Sequence, residues 1–288
     1  MATASPVARV ALVTGANQGI GLEIVRQLCR KFEGTVLLAA RNVDKGQSAV
    51  MELMSEGLQP VFLPLDVDSE ESILAAKEAV QISFGRLDVL INNAAVMFRK
   101  SSGLSLADRG NRSIMTNYHG VLNVINAFWP LLQPDSRIVN MGSGLGRITH
   151  VSKEIQEEIL APDLTTEKLT TIMDRYVGDC QLTEEEYSTK GWPPVDGDYG
   201  AYSVSKIGVN RLTELFAEKI TADANQPGVL INTVHPGWVK TQMGTEAAPL
   251  GVEEGADSAV YLALMPPGEF EPHGKYVQER GVRDWRIC

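Results

Sequence analysis

The segment Thr14-Gly15-Ala16-Asn17-Gln18-Gly19-Ile20-Gly21 constrains the chain most, because it stands between a short apolar run and an amphipathic helical pattern. Val7 to Thr14 reads as a buried strand, and from Gly19 to Phe32 the side chains of Ile20, Ile24, Val25 and Leu28 fall on one helical face. Each glycine has a use at such a crossing. Gly15 permits the tight turn, Gly19 lets the backbone approach a pyrophosphate, and Gly21 lets the helix pack closely on a sheet. The helix start adds free N–H groups and a positive dipole, with Asn17, Gln18 and Ile20 set against the same anionic group. By itself the cluster also suits a plain strand-to-helix turn, so the rest of the chain must decide.

The strand-then-helix unit repeats. Thr35 to Ala40 precedes a helix beginning near Val43, and Val61 to Leu65 precedes a charged helix over Ser69 to Ser83. Leu87 to Ile91 leads into Asn92-Asn93-Ala94, a long helical stretch ends at Trp129-Pro130, and Arg137 to Met141 follows it. Val229 to Val234 and Gly274 to Val277 supply two late strands. Runs this short and apolar suit strands buried on both faces, so the pattern predicts an α/β fold with a doubly wound parallel sheet of Rossmann type. No linker or low-complexity tract divides residues 1–288, which predicts a single domain. Ligands of such a sheet bind at the carboxyl ends of its strands.

Charge and cysteine usage exclude several other classes. A net charge of −10, from 26 Lys and Arg against 36 Asp and Glu, lacks the basic stripe of a nucleic-acid surface. Cys29, Cys180 and Cys288 are scattered without metal-ligand or disulfide spacing, which suits a reducing compartment and predicts no metal. Met1 to Pro6 lacks the pattern of a signal peptide, and no apolar run approaches a membrane span. The expected location is the cytoplasm, with no membrane or nucleic-acid partner.

The end of the second strand tests which dinucleotide would arrive. An NAD-preferring site usually carries a carboxylate there for the ribose 2′-hydroxyl, whereas this chain has Ala40-Arg41-Asn42. Arg41 can meet a 2′-phosphate with several donors, and no acid is expected there to repel it. NADP(H) is therefore expected. After the third strand come Asp66 and Val67; Asp66 could accept from the adenine amino group or cap the next helix.

Tyr202-Ser203-Val204-Ser205-Lys206 opens a helix, putting Tyr202 and Lys206 on one face. A nearby ammonium favours phenolate, so the pair is expected to lower the tyrosine pKa toward working pH. Ser143 lies at the tip of the fifth strand and Asn117 in the preceding helix. With the glycine loop, Asn92-Asn93-Ala94 and Pro236-Gly237, these residues resemble the motif series of the short-chain dehydrogenases/reductases, in order and over nearly the whole chain. The resemblance implies that Tyr202 donates a proton to a carbonyl oxygen and that Ser143 orients that oxygen. It also implies that Lys206 bonds the nicotinamide ribose and that Asn117 holds a relay water. Asn93 and Ala94 would support the adenosine side, while Val239 and Thr241 would reach the nicotinamide carboxamide. Two departures are Ala95, where glycine is usual, and Gln18, where NADP-preferring members often carry a basic residue.

Most members of that family place the catalytic serine and tyrosine little more than a dozen residues apart, but here residues 144–201 intervene. The segment 145–198 is expected to be a helical insert, with helices near Ser152 to Leu160 and Thr165 to Val177, then an acidic stretch, Glu184 to Glu186. Its length, Gly191-Trp192-Pro193 before the tyrosine, and Pro236-Gly237-Trp238-Val239-Lys240-Thr241 resemble the carbonyl reductase branch. That branch implies a monomer, and an apolar pocket in which Gly144, Leu145, Trp238 and Met243 take a bulky ketone, aldehyde or quinone. Trp238 could instead pack between its loop and the insert, and the insert could be a surface elaboration. The expected activity is reduction of such carbonyls with NADPH. A metabolite-specific alcohol dehydrogenase or ketone reductase of terpenoid or prostaglandin type shares the mechanism, and a non-catalytic NADPH sensor is the alternative from another class.

Overall fold

The structure, a computed structural model, describes residues 8–287. Val7, Cys288 and the Met1–Pro6 segment, with the readings placed on them, lie outside the described residues. Four strands set up the first half of the sheet: β1 (Arg9–Val13), β2 (Gly34–Ala40), β3 (Val61–Pro64) and β4 (Leu87–Asn92). They are joined by α1 (Gly19–Lys31), α2 (Val43–Ser55) and α3 (Glu70–Ser83). Every residue of β4 is buried, Asp88 included, which accepts from Val10 N and from the Arg86 guanidinium. Asn42 and Ser69 cap α2 and α3 by accepting from Lys45 N and Ser72 N. Ser69, rather than Asp66, is thus the cap of the third helix.

The second half begins with one long helical passage: α4 (Leu106–Ile114), a π-helical turn over Met115–His119, and α5 (Gly120–Phe128). Then come β5 (Leu132–Met141), α6 (Lys153–Ile159), α7 (Thr166–Asp179), α8 (Glu184–Ser188) and α9 (Gly200–Ala222). The chain closes with β6 (Leu230–Val234), α10 (Val252–Ala263), β7 (Tyr276–Gln278) and β8 (Gly281–Arg283). The strand order is β3-β2-β1-β4-β5-β6-β7-β8. All neighbours are parallel except β7 and β8, an antiparallel edge pair that departs from the expected all-parallel sheet. The order reverses between β1 and β4, which opens a crevice at their carboxyl ends. One apolar layer packs under α1, α2 and α10, and the other under α3, α5, α7 and α9.

Three local readings change. Strand β5 starts at Leu132 rather than Arg137, because a register irregularity between Leu87 and Val89 absorbs Asp135, whose φ is +61°. The acidic stretch at Glu184 is helical: Thr183 and Glu186 form a reciprocal capping box, and the three acids occupy the first turn, where the dipole favours them. Helix α10 escapes notice because its buried face is mostly small, Gly255, Ala256, Ala259 and Ala263, and packs closely on α1. Among the described residues no helix is long and apolar enough to cross a membrane.

Candidate active site

At the carboxyl end of β1 the glycine loop is shaped by steric necessity. Gly15 has φ +61°, and a Cβ there would stand 2.7 Å from Ala94 Cα. At Gly21 a Cβ would run into the Asn93 amide and the Gly15 carbonyl. Asn93 Nδ2 donates to the carbonyls of Thr14 (2.9 Å) and Gly15 (3.1 Å), while Thr14 Oγ1 accepts from the N–H groups of Asn93 and Ala94, both at 3.0 Å. Asn93 and Ala94 therefore brace the loop from β4. No side chain caps the start of α1 and no acid occupies its first turn, which leaves an electropositive helix end facing the crevice. The loop after β6 lies over this cradle: Thr241 Cγ2 is 3.3 Å from where a Gly19 Cβ would be, and Gln18 Nε2 donates to Gln242 Oε1 at 3.4 Å.

Helix α9 brings Tyr202 and Lys206 to the adjoining part of the crevice, both buried. Lys206 Nζ donates to Met141 O at 2.6 Å, which pins the helix to the tip of β5, and lies 5.5 Å from the centre of the Tyr202 ring. The Ser143 hydroxyl stands close enough to the Tyr202 hydroxyl to draw its pKa down. Asn117 sits in the π-helical turn behind them. Its Oδ1 accepts from Val96 N at 2.8 Å, and its amide donates to Val96 O and Ser205 Oγ, both at 2.9 Å. Ser205 Oγ in turn donates to Tyr202 O at 2.7 Å. Asn117 thus couples the loop after β4 to the helix turn that carries Tyr202, with both amide hydrogens committed. All other sequence-derived site residues line one cleft of about 990 Å³.

A short chain dehydrogenase family model matches residues 9–154, from β1 into α6. Over 283 residues the chain is 40% identical to carbonyl reductase (NADPH) 3 of Rattus norvegicus, covering 98% of this chain and 100% of that one. This chain belongs to the short-chain dehydrogenase/reductase family, in its carbonyl reductase branch. Among solved structures, salutaridine reductase from Papaver somniferum is 29% identical with a TM-score of 0.83, covering 93% of this chain and 99% of that one. Menthone neomenthol reductase from Mentha piperita is 30% identical with a TM-score of 0.77, covering 94% and 98%.

Within this family member, electrostatics correct two expectations. Burial pushes the Tyr202 phenol up to about 12, with only the Ser143 hydroxyl pulling it down. Burial also brings the Lys206 ammonium down to about 7. The expected depression of the tyrosine by the lysine is therefore overturned: taking both groups out of water outweighs their proximity. The second correction concerns Arg41. Asp68 Oδ2 lies 3.8 Å from its Nη1, so an acid is present after all, contributed by the neighbouring β3 loop. Burial raises the Asp68 carboxyl above its ordinary value; a hydrogen bond from Thr116 opposes this, Asp66 adds to it, and Arg41 opposes it. Asp66 Oδ1 itself accepts from Asp68 N at 3.1 Å, a turn that sets the pair's geometry.

Other placements refine the pocket. Trp238 is 54% exposed and its indole N–H donates to Gly244 O, so it stands on the rim, held by its own loop. Sequence reasoning missed Arg99, whose Nη2 donates to Met243 O at 3.1 Å and whose guanidinium lies 5.9 Å from the Tyr199 ring centre. It also left Arg147, His150 and His235 out of the cleft they line. The usable signal was position alone, since each lies in a loop following the carboxyl end of a strand.

Proposed function

We propose that this chain reduces ketones, aldehydes and quinones to alcohols with NADPH, using Tyr202 as proton donor. The observation that carries the reading is that Tyr202, Ser143 and Lys206 line the same cleft as the glycine cradle and Arg41. The cradle fits a dinucleotide: its Cβ-free surface, uncapped helix start and terminal arginine match a pyrophosphate and a 2′-phosphate. Gly15, Asn17, Gln18, Gly19, Ile20 and Gly21 would hold the pyrophosphate and its flanks. Arg41 would hold the 2′-phosphate, and Asp66, Val67, Asn93 and Ala94 the adenosine. Pro236, Gly237, Val239 and Thr241 close the nicotinamide end. Bound NADPH supplies a hydride for the carbonyl carbon.

The protein's part is to position and to move one proton. Ser143 and Tyr202 present two hydroxyls to one carbonyl oxygen. A phenol held near 12 stays protonated at working pH, and it surrenders its proton only to a base as strong as an alkoxide, so transfer waits for the oxygen to become negative. Lys206, beside the ring, then faces the phenolate left behind and stabilises it to the extent that it is protonated, which burial limits to pH values near and below about 7. Asn117 keeps the tyrosine's helix turn in register through Ser205. Gly144, Leu145, Met243 and Trp238 offer a largely apolar seat for the substrate body. Tyr202→Phe is expected to abolish carbonyl reduction while NADPH still binds in a fluorescence titration; turnover retained by that variant defeats the assignment.

A narrower reading, a reductase dedicated to one alicyclic or polycyclic ketone, draws support from the structural likeness to the salutaridine and menthone reductases. A panel of aldehydes, ketones and quinones assayed with NADPH and NADH separates the two by breadth of turnover. The sensor reading is disfavoured, because binding alone gives no reason to keep Ser143, Tyr202 and Lys206 together.

The segment 145–198 reads best as an insert that covers a helical face. Its α7 lies against α4 and α9, where Gly110 and Gly208 leave room for Cys180 and Met173. A face covered this way favours a monomer, which molar mass measured in solution by light scattering tests directly. The free thiols of Cys29 and Cys180 suit a reducing compartment such as the cytoplasm.

A further inference from the structure

His235 directly follows β6 and, among the described residues, is the cleft histidine whose ring is tied to two of the loops that build the site. Its Nδ1 lies 3.1 Å from Gly144 N and 3.2 Å from Gly237 N. A backbone N–H can only donate, so Nδ1 must be the acceptor for both, and the imidazole must be neutral with its proton on Nε2. Gly144 directly follows Ser143, and Gly237 opens the loop that runs over the glycine cradle. Its own backbone is anchored, His235 N donating to Val277 O at 2.9 Å, and the ring stacks on Tyr276 of β7 at 6.2 Å between centres. The fit is close on the remaining side, since a Cβ on Gly144 would stand 2.7 Å from His235 Nε2. One ring therefore joins the serine loop, the cofactor-side loop and the sheet.

We propose that His235 is a positioning residue for reduction, its neutral imidazole holding the Ser143–Gly144 peptide and the Gly237 turn in the arrangement that presents the Ser143 hydroxyl to substrate. This rests on the carbonyl-reductase reading above. Protonation of Nδ1 would set a third N–H against two others, breaking both bonds at once, so kcat falls as acid titrates this ring. Charged and titratable neighbours act on it from several elements. Burial, the largest influence, and Arg147 of the serine loop hold the imidazole below its ordinary value, while Glu279 of the β7–β8 turn works the other way. Tyr276 faces it from β7, and Lys206 and Tyr202 line the same cleft from α9.

Two substitutions separate positioning from bulk. His235→Phe keeps a ring but removes the acceptor; His235→Asn keeps an acceptor, Oδ1, near the place of Nδ1. At pH 8 the phenylalanine variant is expected to lose at least tenfold in kcat with KM for NADPH within about threefold of wild type. The asparagine variant should stay within about threefold of wild type in kcat, because an amide oxygen accepts the same two N–H groups. In a kcat profile from pH 5 to 8 the wild type should show an acid limb below the ordinary histidine value of about 6.5, and His235→Asn should lack it. If His235→Phe fails to fold, the asparagine profile alone decides. The proposal is overturned if His235→Phe keeps wild-type kcat, if its loss lies in KM for NADPH alone, or if the acid limb persists in His235→Asn. A wild-type protein that binds NADPH but reduces no carbonyl would instead sink the underlying reading, which keeps the two failures distinct.

Discussion

Replacing Arg41 with alanine should convert a cofactor preference into a measurable number. A charge-assisted hydrogen bond to phosphate contributes about 1.5 to 3 kcal/mol. Two features of this site place the effect at the lower end of that range. The Arg41 side chain is 63% exposed, so water competes for its donors, and Asp68 at 3.8 Å already draws on the same charge. A net loss of about 1.5 to 2 kcal/mol corresponds to roughly a 10- to 30-fold fall in kcat/KM for NADPH. NADH has no 2′-phosphate and should change by less than about twofold. Asp68→Asn probes the opposite sign: it removes a carboxylate near the phosphate while an amide oxygen can still accept from Thr116, so NADPH preference should rise a few-fold. Both variants are read by steady-state kinetics with each nucleotide at one carbonyl substrate and constant ionic strength, since the interaction is screened by salt. Equal losses with NADPH and NADH in Arg41→Ala, or a wild type that uses NADH as well as NADPH, would refute the argument.

Other residues carry sharper structural tests. Arg137 is buried without a carboxylate ion-pair partner among the described residues and donates to the carbonyls of Asp135, Ser136, Gly228, Met265 and Pro266; Arg137→Met should cost about 3 to 5 kcal/mol in denaturant unfolding, and a loss under about 1 kcal/mol would contradict its role as a hub. Gly21→Ala should raise KM for NADPH more than about tenfold with the fold intact by circular dichroism, because the added carbon meets the Asn93 amide and the Gly15 carbonyl; wild-type KM would show that the loop yields freely. Lys206 titrates near 7 when folded against 10.5 as a free side chain, so between those values the unfolded chain binds more protons and stability rises with pH. Lys206→Met should lack that rise, and a wild-type minus variant difference in thermal stability that stays flat from pH 7 to 9.5 would count against it.

The parts of the site legible in the sequence are those where backbone geometry dictates the residue. Gly15 and Gly19 adopt positive φ, and Gly21 admits no Cβ, so the loop announces itself by spacing. The buried parallel strands are legible for a related reason, since a strand covered on both faces needs an unbroken apolar run. Helix α10 shows the limit: its buried face carries Gly and Ala, whose small side chains give little periodic signal although their smallness is what lets α1 approach. The π-helical turn at Asn117 and the latch of Arg99 on Met243 O are equally silent, because both depend on where distant loops come to rest.

Electrostatics lie furthest from the sequence, and the Tyr202–Lys206 pair illustrates why. Four-residue spacing on a helix places an ammonium near a phenol and argues for a lowered tyrosine pKa. Burial depends on everything packed around the pair, namely the tip of β5, the π turn and the loop after Ser143, and it moves both groups toward their neutral forms. The spacing therefore identifies the partners but misjudges their resting state. A tyrosine kept protonated is the better donor for a reaction in which negative charge appears on the substrate oxygen only as hydride arrives. The same packing that hides the pair from solvent makes that timing possible, and it is supplied by residues spread from Val96 to the loop after Ser143 rather than by the helix that carries the pair.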